Sequence, residues 1–314
     1  MARRWLWLVI AAVIGVAAFS MVGDLRGIGD RLGGFWWPAF AAACALALTN
    51  YVLRFFRWQI YLRRQDVSVP TGSSALVFGA GLSLSITPAK LGELVKSYLL
   101  REMEDVPAPK TAPIVVAERV SDLVALLVLA VIGVAAYGVD PTLVIAASAI
   151  ILVGLLLLAW PRPTRALIDL VTRPHKVRKL REPLHETLRG LSSLCRPSTL
   201  MVATLIAVPA WGCECIGFAL ICDAFPGTHV DLGLATVIYA GTTIAGALSF
   251  LPGGLGVTEG AMTLALVRGA SKLEPATAAA ATLLTRLATL WFAVGLGVVF
   301  LAVAKRRIAK RASG

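Results

Sequence analysis

Two glutamate–arginine sets stand at matching places in a chain that is otherwise poor in charge. Glu93 precedes Arg119, Glu259 precedes Arg286, and each arginine lies inside a long apolar run. A guanidinium keeps its charge at any working pH, and its planar fork donates two parallel hydrogen bonds to a phosphate or carboxylate. A neighbouring carboxylate can hold that fork when no ligand is present, or carry a proton. The chemistry implied is binding of an anion by Arg119 and Arg286, with gating or coupling by Glu93 and Glu259. Glu118 and Asp122 add acids beside Arg119, Asp122 at the i+3 position of the same helical face. Glu214 is a further acid within an apolar run. It reads either as a proton site or as a hydrogen-bond partner of a neighbouring helix. The plainer alternative for the arginines is a pair of buried ion bridges that only lock helices together.

Each glutamate closes a similar segment. The first runs Ser85-Ile86-Thr87-Pro88-Ala89-Lys90-Leu91-Gly92-Glu93, and the second runs Ser249-Phe250-Leu251-Pro252-Gly253-Gly254-Leu255-Gly256-Val257-Thr258-Glu259. Both contain Pro-x-x-Leu-Gly and interrupt an apolar run. Proline removes a backbone donor and disfavours helix in the residue before it, and the glycines loosen the second break. Helices restarting at Leu91 and Val257 would turn free N–H groups and a positive dipole end toward an anion. Pro88, Lys90, Gly92, Pro252, Gly253, Gly254 and Gly256 are therefore candidate substrate-facing positions. Lys90 has no counterpart in the second segment, where Gly254 stands. Lys90 and Lys96 read as attractors of anionic headgroups or as side chains snorkelling to the membrane interface.

The elements that must position these groups are membrane helices. Of the 314 residues, 58% are hydrophobic and 15% charged. Several apolar runs match a hydrocarbon core about 30 Å thick. Full crossings are predicted at 5–22, 35–62, 111–137, 141–160, 199–224 and 275–304. The run after Arg3-Arg4 is signal-like but lacks a clean small-x-small cleavage site, and reads as a retained first helix. The arms 72–86 with 91–100, and 232–250 with 256–267, are short and broken. They predict two re-entrant hairpins, in repeats spanning about 72–137 and 232–304 of a single membrane domain, 1–314. Backbone of this kind is tolerated at depth only inside protein or along a wet cavity.

Charge placement orients the chain. The net charge of +12 collects between and after the spans, the mark of cytoplasmic loops. No soluble module is left over to bind nucleic acid. The segment 161–197 carries Arg162, Arg165, Arg173, Lys176, Arg178, Lys179, Arg181, Arg189 and Arg196 against Asp169, Glu182 and Glu186. With this segment and both termini inside, three crossings separate the hairpins, so the repeats are inverted, a common plan of carriers with a midplane site. Within 166–194, leucines recur at helical spacing, as in an interfacial helix or a plain cytosolic loop. Arg119 and Arg286 then sit about 12 and 16 Å into their helices, where a lone arginine costs roughly 2.5–3.5 kcal/mol. Asn50, Arg54, Arg57 and Trp58 approach the inner interface, and Arg57-Trp58 followed by Arg63-Arg64 reads as an interfacial anchor, with a substrate contact as the alternative. Cys44, Cys195, Cys213, Cys215 and Cys222 show no metal-ligand spacing with histidine and read as small helix residues. No cofactor or metal is expected.

Taken together, these motifs resemble the flippase-like family, the transmembrane region of lysylphosphatidylglycerol synthases and their stand-alone relatives. The match rests on Asn50, Arg54 and Arg57-Trp58, on Thr87-Pro88 with Leu91-Gly92-Glu93, on Glu118-Arg119 with Asp122, on Leu251-Pro252-Gly253-Gly254-Leu255-Gly256 with Glu259-Gly260, and on Thr285-Arg286. It covers nearly the whole chain, and the Pro-Gly-Gly stretch is its most specific part. The resemblance implies movement of a lipid between leaflets: aminoacylated phosphatidylglycerol, hopanoid-related lipid or polyprenyl-linked glycan. One departure is the missing C-terminal soluble domain, so the aminoacyl-transfer enzyme is not expected and the headgroup stays open.

The reading is an all-α polytopic protein of a bacterial or archaeal cytoplasmic membrane. It would carry an anionic phospholipid or polyprenyl phosphate. A separate lipid or glycan synthase is a further conceivable partner. Two rivals stay open: a membrane glycosyltransferase or lipid-modifying enzyme using Glu93 and Glu259 as acid and base, and a scaffold for a lipid synthase.

Overall fold

The structure is a computed structural model that describes residues 31–87, 92–138, 181–269 and 272–312, with isolated positions 29, 142, 145, 149, 169, 170, 172 and 173. The spans expected at 5–22 and 141–160 lie outside the described residues. So do Pro88, Ala89, Lys90 and Leu91, the break of the first hairpin.

Ten α-helices are described, and no strand occurs among the described residues. They are α1 (Trp37–Arg64), α2 (Thr71–Leu82), α3 (Val95–Glu104), α4 (Ala108–Tyr137), α5 (Arg181–Leu194), α6 (Pro197–Asp223), α7 (Leu232–Leu248), α8 (Val257–Arg268), α9 (Pro275–Arg286) and α10 (Phe292–Ala312). A wide π turn over Leu287–Trp291 joins α9 to α10, so one span runs from Pro275 to Arg311. Among the described residues, four spans are long and apolar enough to cross a membrane: α1, α4, α6 and α9–α10. Their outward faces carry large apolar side chains in the open, such as Leu48 and Phe56 on α1, Met201 and Leu205 on α6, and Val298 and Val299 on α10. Apolar surface this extensive is what lipid requires and water penalises. The protein is an all-α, multi-pass membrane protein.

The broken arms exist as pairs of short helices. Helices α2 and α3 have 12 and 10 residues, and α7 and α8 have 17 and 12. At 1.5 Å per residue the longest reaches about 26 Å, short of the hydrocarbon core. The first pair departs from expectation in detail. A 3-10 turn over 92–94 precedes α3, so regular helix starts at Val95 rather than Leu91. Of the two readings of 166–194, neither an interfacial helix nor a plain loop describes 181–194: Leu188, Leu191 and Leu194 of α5 are buried, and α5 packs on α4 and α1.

The pairs pack reciprocally. The first arm of the first pair, α2, lies along α10, and the first arm of the second pair, α7, lies along α4. Both contacts are close because a glycine sits in each. A Cβ at Gly297 would collide with the backbone of Leu82 and Ser83, and one at Gly133 would come within 2.9 Å of the Gly233 carbonyl. Small residues let backbones approach where no water drives association.

Two large apolar clusters result beside a small third one of Ala47, Tyr51, Leu82 and Ala293, with a polar layer between the large two. One gathers the first turns of α1, the latter half of α4 and much of α6–α9. The other gathers the end of α1, α2, α3 and the start of α4. Asn50, Arg54, Arg57, Glu118 and Asp122 lie between the two and are all buried. Gly297→Val should drive α10 off α2 and cost about 1–3 kcal/mol by overpacking. Gly241→Ala, where a Cβ meets nothing within 4 Å, should not lower stability. Thermal unfolding in detergent reads the difference.

Candidate functional site

The polar layer is built from side chains that three elements turn inward. On α1, Asn50, Arg54, Arg57, Trp58 and Tyr61 share one buried face. On α4, Glu118, Ser121 and Asp122 are buried, and Arg119 is partly exposed. The first pair brings Glu93 and Lys96. Thr87 shapes this turn, its hydroxyl accepting from Gly92 N–H at 2.7 Å, and a Cβ at Gly92 would strike Thr87. Gly81 leaves the room that the Lys96 stem fills.

Four cations and three carboxylates interlock here. Glu93 faces Lys96 at 3.2 Å, Arg119 at 3.3 Å and Arg54 at 4.0 Å. Asp122 faces Arg57 at 2.7 Å, Arg119 at 3.1 Å and Arg54 at 3.9 Å, and accepts from the Trp211 indole at 3.0 Å. Glu118 is paired with Lys96, whose ammonium also lies 4.8 Å from the Trp58 ring centroid. Two expectations are thereby overturned. Arg57-Trp58 is not an interfacial anchor, since both residues are 0% exposed. Lys96 does not reach for headgroups, since it is fully paired inside protein.

The second site is simpler. Arg286 Nε donates to Glu259 at 2.6 Å, and its Nη2 donates to the Gly253 carbonyl at 2.6 Å. The other Glu259 oxygen accepts the Gly256 N–H at 2.7 Å, capping α8. Gly253, Gly254 and Gly256 all have positive φ, at 61°, 67° and 85°, which only glycine adopts without strain. Phe250 beside them also has a positive φ of 55°, a costly state for an aromatic residue. The two glutamate–arginine pairs match in register, 26 residues apart in the first copy and 27 in the second.

Both sites open on one cavity of about 310 Å³. Arg54, Arg119 and Arg286 line it, with Asp122 and Glu214 as its acids and Trp211, Tyr51 and Tyr239 as aromatic wall. Glu214 accepts from the Tyr239 hydroxyl on α7, so the neighbouring-helix bond is present. Of the glycines and prolines named from sequence, Gly253 and Gly254 line the cavity, whereas Gly92, Pro252 and Gly256 shape the turns behind it. Pro88 and Lys90 lie outside the described residues. Glu93, Glu118 and Glu259 stand behind the arginines rather than at the cavity wall.

The nearness of Arg54 and Arg57 to Arg63-Arg64 masks their place in the site. Their spacing from Asn50, four and then three residues, already places all three on one helix face. Tyr51, whose hydroxyl donates to the Thr289 carbonyl in the π turn at 2.6 Å, had no sequence signal. Such turns often mark functional places in helices.

Lys96→Met strands the buried Glu118 carboxylate and should cost about 3–5 kcal/mol. Adding Glu118→Gln should restore much of that loss, as read by chemical unfolding in detergent.

Comparison with known proteins bears on what such a layer serves. A family model described as the lysylphosphatidylglycerol synthase TM region matches residues 5–297. A UPF0104 membrane protein of Methanothermobacter thermautotrophicus is similar, with 26% identity over 316 aligned residues, covering 93% of either chain.

Proposed function

The chain belongs to the family of the lysylphosphatidylglycerol synthase transmembrane region, and we propose that it moves an anionic lipid between leaflets through the cavity. The observation that carries this reading is the meeting of Arg119 and Arg286, one from each copy, at one cavity. Each guanidinium is backed by a glutamate of the preceding helix pair, at nearly equal sequence separation. Phosphate suits a guanidinium fork, and intramembrane charge of this kind marks transport paths.

The cavity is at the small end for a ligand site, enough for a headgroup. Phe250 and Leu251 line it and are also exposed, at 69% and 44%. That supports a lateral opening through which acyl or prenyl chains stay in lipid. In this reading the helix pairs are re-entrant hairpins of two inverted repeats. The reciprocal packing of α2 on α10 and α7 on α4 supports a two-fold relation. Both termini face the inside of a cytoplasmic membrane, and the cargo is a phospholipid or polyprenyl phosphate.

Glu93 is engaged by three cations, and Glu259 by Arg286 and a helix N-terminus. That favours gating over acid–base chemistry by these acids, and so a carrier over a lipid-modifying enzyme. The test is purified protein in vesicles holding a fluorescent anionic phospholipid, bleached by an impermeant reductant. Wild type should expose inner-leaflet lipid to bleaching. Arg119→Ala and Arg286→Ala should leave it protected while still inserting. Bleaching at wild-type rate in both variants sinks the arginine assignment, and wild-type vesicles no faster than empty ones sink the carrier.

A further inference from the structure

Arg54 is held differently from the other interior cations among the described residues. Arg57, Lys96, Arg119 and Arg286 each have a carboxylate oxygen at 3.2 Å or closer. The carboxylates nearest Arg54 are at 3.9 Å on Asp122 and 4.0 Å on Glu93. That range keeps Coulomb attraction but is too long for a hydrogen bond. Its Nε has no hydrogen-bond partner, as is also true of the Arg57 and Arg119 Nε, so the longer carboxylate distances are what set Arg54 apart. Yet the side chain is only 5% exposed and lines the cavity. Its guanidinium carbon stands 5.9 Å from the Trp211 ring centroid, and Trp211 is itself tied to Asp122.

A buried guanidinium with unfilled donors is expensive. The arrangement is economical once an anion occupies the space in front of it. Resting on the carrier reading, we propose that Arg54 is the primary ligand of the substrate's phosphate group, with Arg119 beside it. Arg119 shares both of its carboxylates, Glu93 and Asp122. A phosphate taking the Arg54 fork therefore competes with Asp122 and Glu93. Glu93 belongs to the turn that leads into α3, so anion binding relaxes the clasp between the first helix pair and α1 and α4.

The test is binding, measured apart from transport. Purified protein in detergent is titrated with dihexanoylphosphatidylglycerol and, separately, with inorganic phosphate, and affinity is read from the thermal-unfolding midpoint. Arg54→Lys keeps the charge that Asp122 and Glu93 need but loses the fork. It should bind roughly tenfold more weakly. Asp122→Asn removes a competitor of both Arg54 and Arg119 and should bind more tightly than wild type; adding Arg54→Lys should cancel that gain, which a merely structural Arg54 does not do. A response to the lipid alone assigns the phosphate to a headgroup, and an equal response to inorganic phosphate assigns it to the free anion. Either supports the ligand role. Wild-type affinity in both single variants, or no response of wild type to either probe, overturns it. A chain that binds through Arg54 without moving lipid refutes the carrier alone. One that moves lipid while Arg54→Lys binds unchanged refutes the Arg54 assignment alone.

Discussion

Charge withdrawn from water must be met by opposite charge, and this demand organises the molecule more than any apolar contact does. Removing one member of a buried ion pair leaves a penalty of several kcal/mol, whereas the intact pair contributes little net stability. Glu93, Glu118 and Asp122 against Arg54, Arg57, Lys96 and Arg119 are therefore weak evidence of a device for stability. Their service is placement. They set α1, α4 and the first helix pair in one register, between two apolar clusters that supply the adhesion. Glycines at 81, 133 and 297 admit the close approach that the register needs.

The two glutamate–arginine sets meet the same demand in different ways. In the second, Arg286 is bolted to Glu259 and to the Gly253 carbonyl, both at 2.6 Å, and the positive-φ glycines are part of the bolt. In the first, contacts are shared, and no single carboxylate owns Arg54 or Arg119. Shared, longer contacts can be exchanged one at a time, because a cation leaving one carboxylate is still attracted by the next. Short bidentate holding cannot be exchanged so gradually. The looser copy is thus suited to yielding and the tighter copy to holding.

Much of this was legible in the residues. The duplicated Pro-x-x-Leu-Gly segments announced two breaks, and a glutamate followed by a distant intramembrane arginine announced two pairs. The i+3 spacing of Arg119 and Asp122 announced their contact. What stayed hidden depends on neighbours far along the chain. The role of Arg54 and Arg57 is set by Asp122 on α4, Trp211 on α6 and Glu93 of the first helix pair, and the resemblance of Arg57-Trp58 to a membrane-interface pair pointed the other way. Burial of Lys96 depends on the missing side chain at Gly81. The apolar face of α5 is satisfied by α4 and α1, where periodicity alone speaks equally for lipid. The π turn after Arg286, where Tyr51 donates to the Thr289 carbonyl, carries no residue signature.

The central claim is that one cavity, walled by an arginine from each copy, takes an anionic lipid. Native mass spectrometry of gently extracted protein tests it most directly, comparing wild type with the Arg119→Ala, Arg286→Ala double variant. The account predicts a co-purifying anionic lipid on wild type that is lost from the double variant. Identical lipid adducts on both proteins would contradict it and leave the arginines as structural ties.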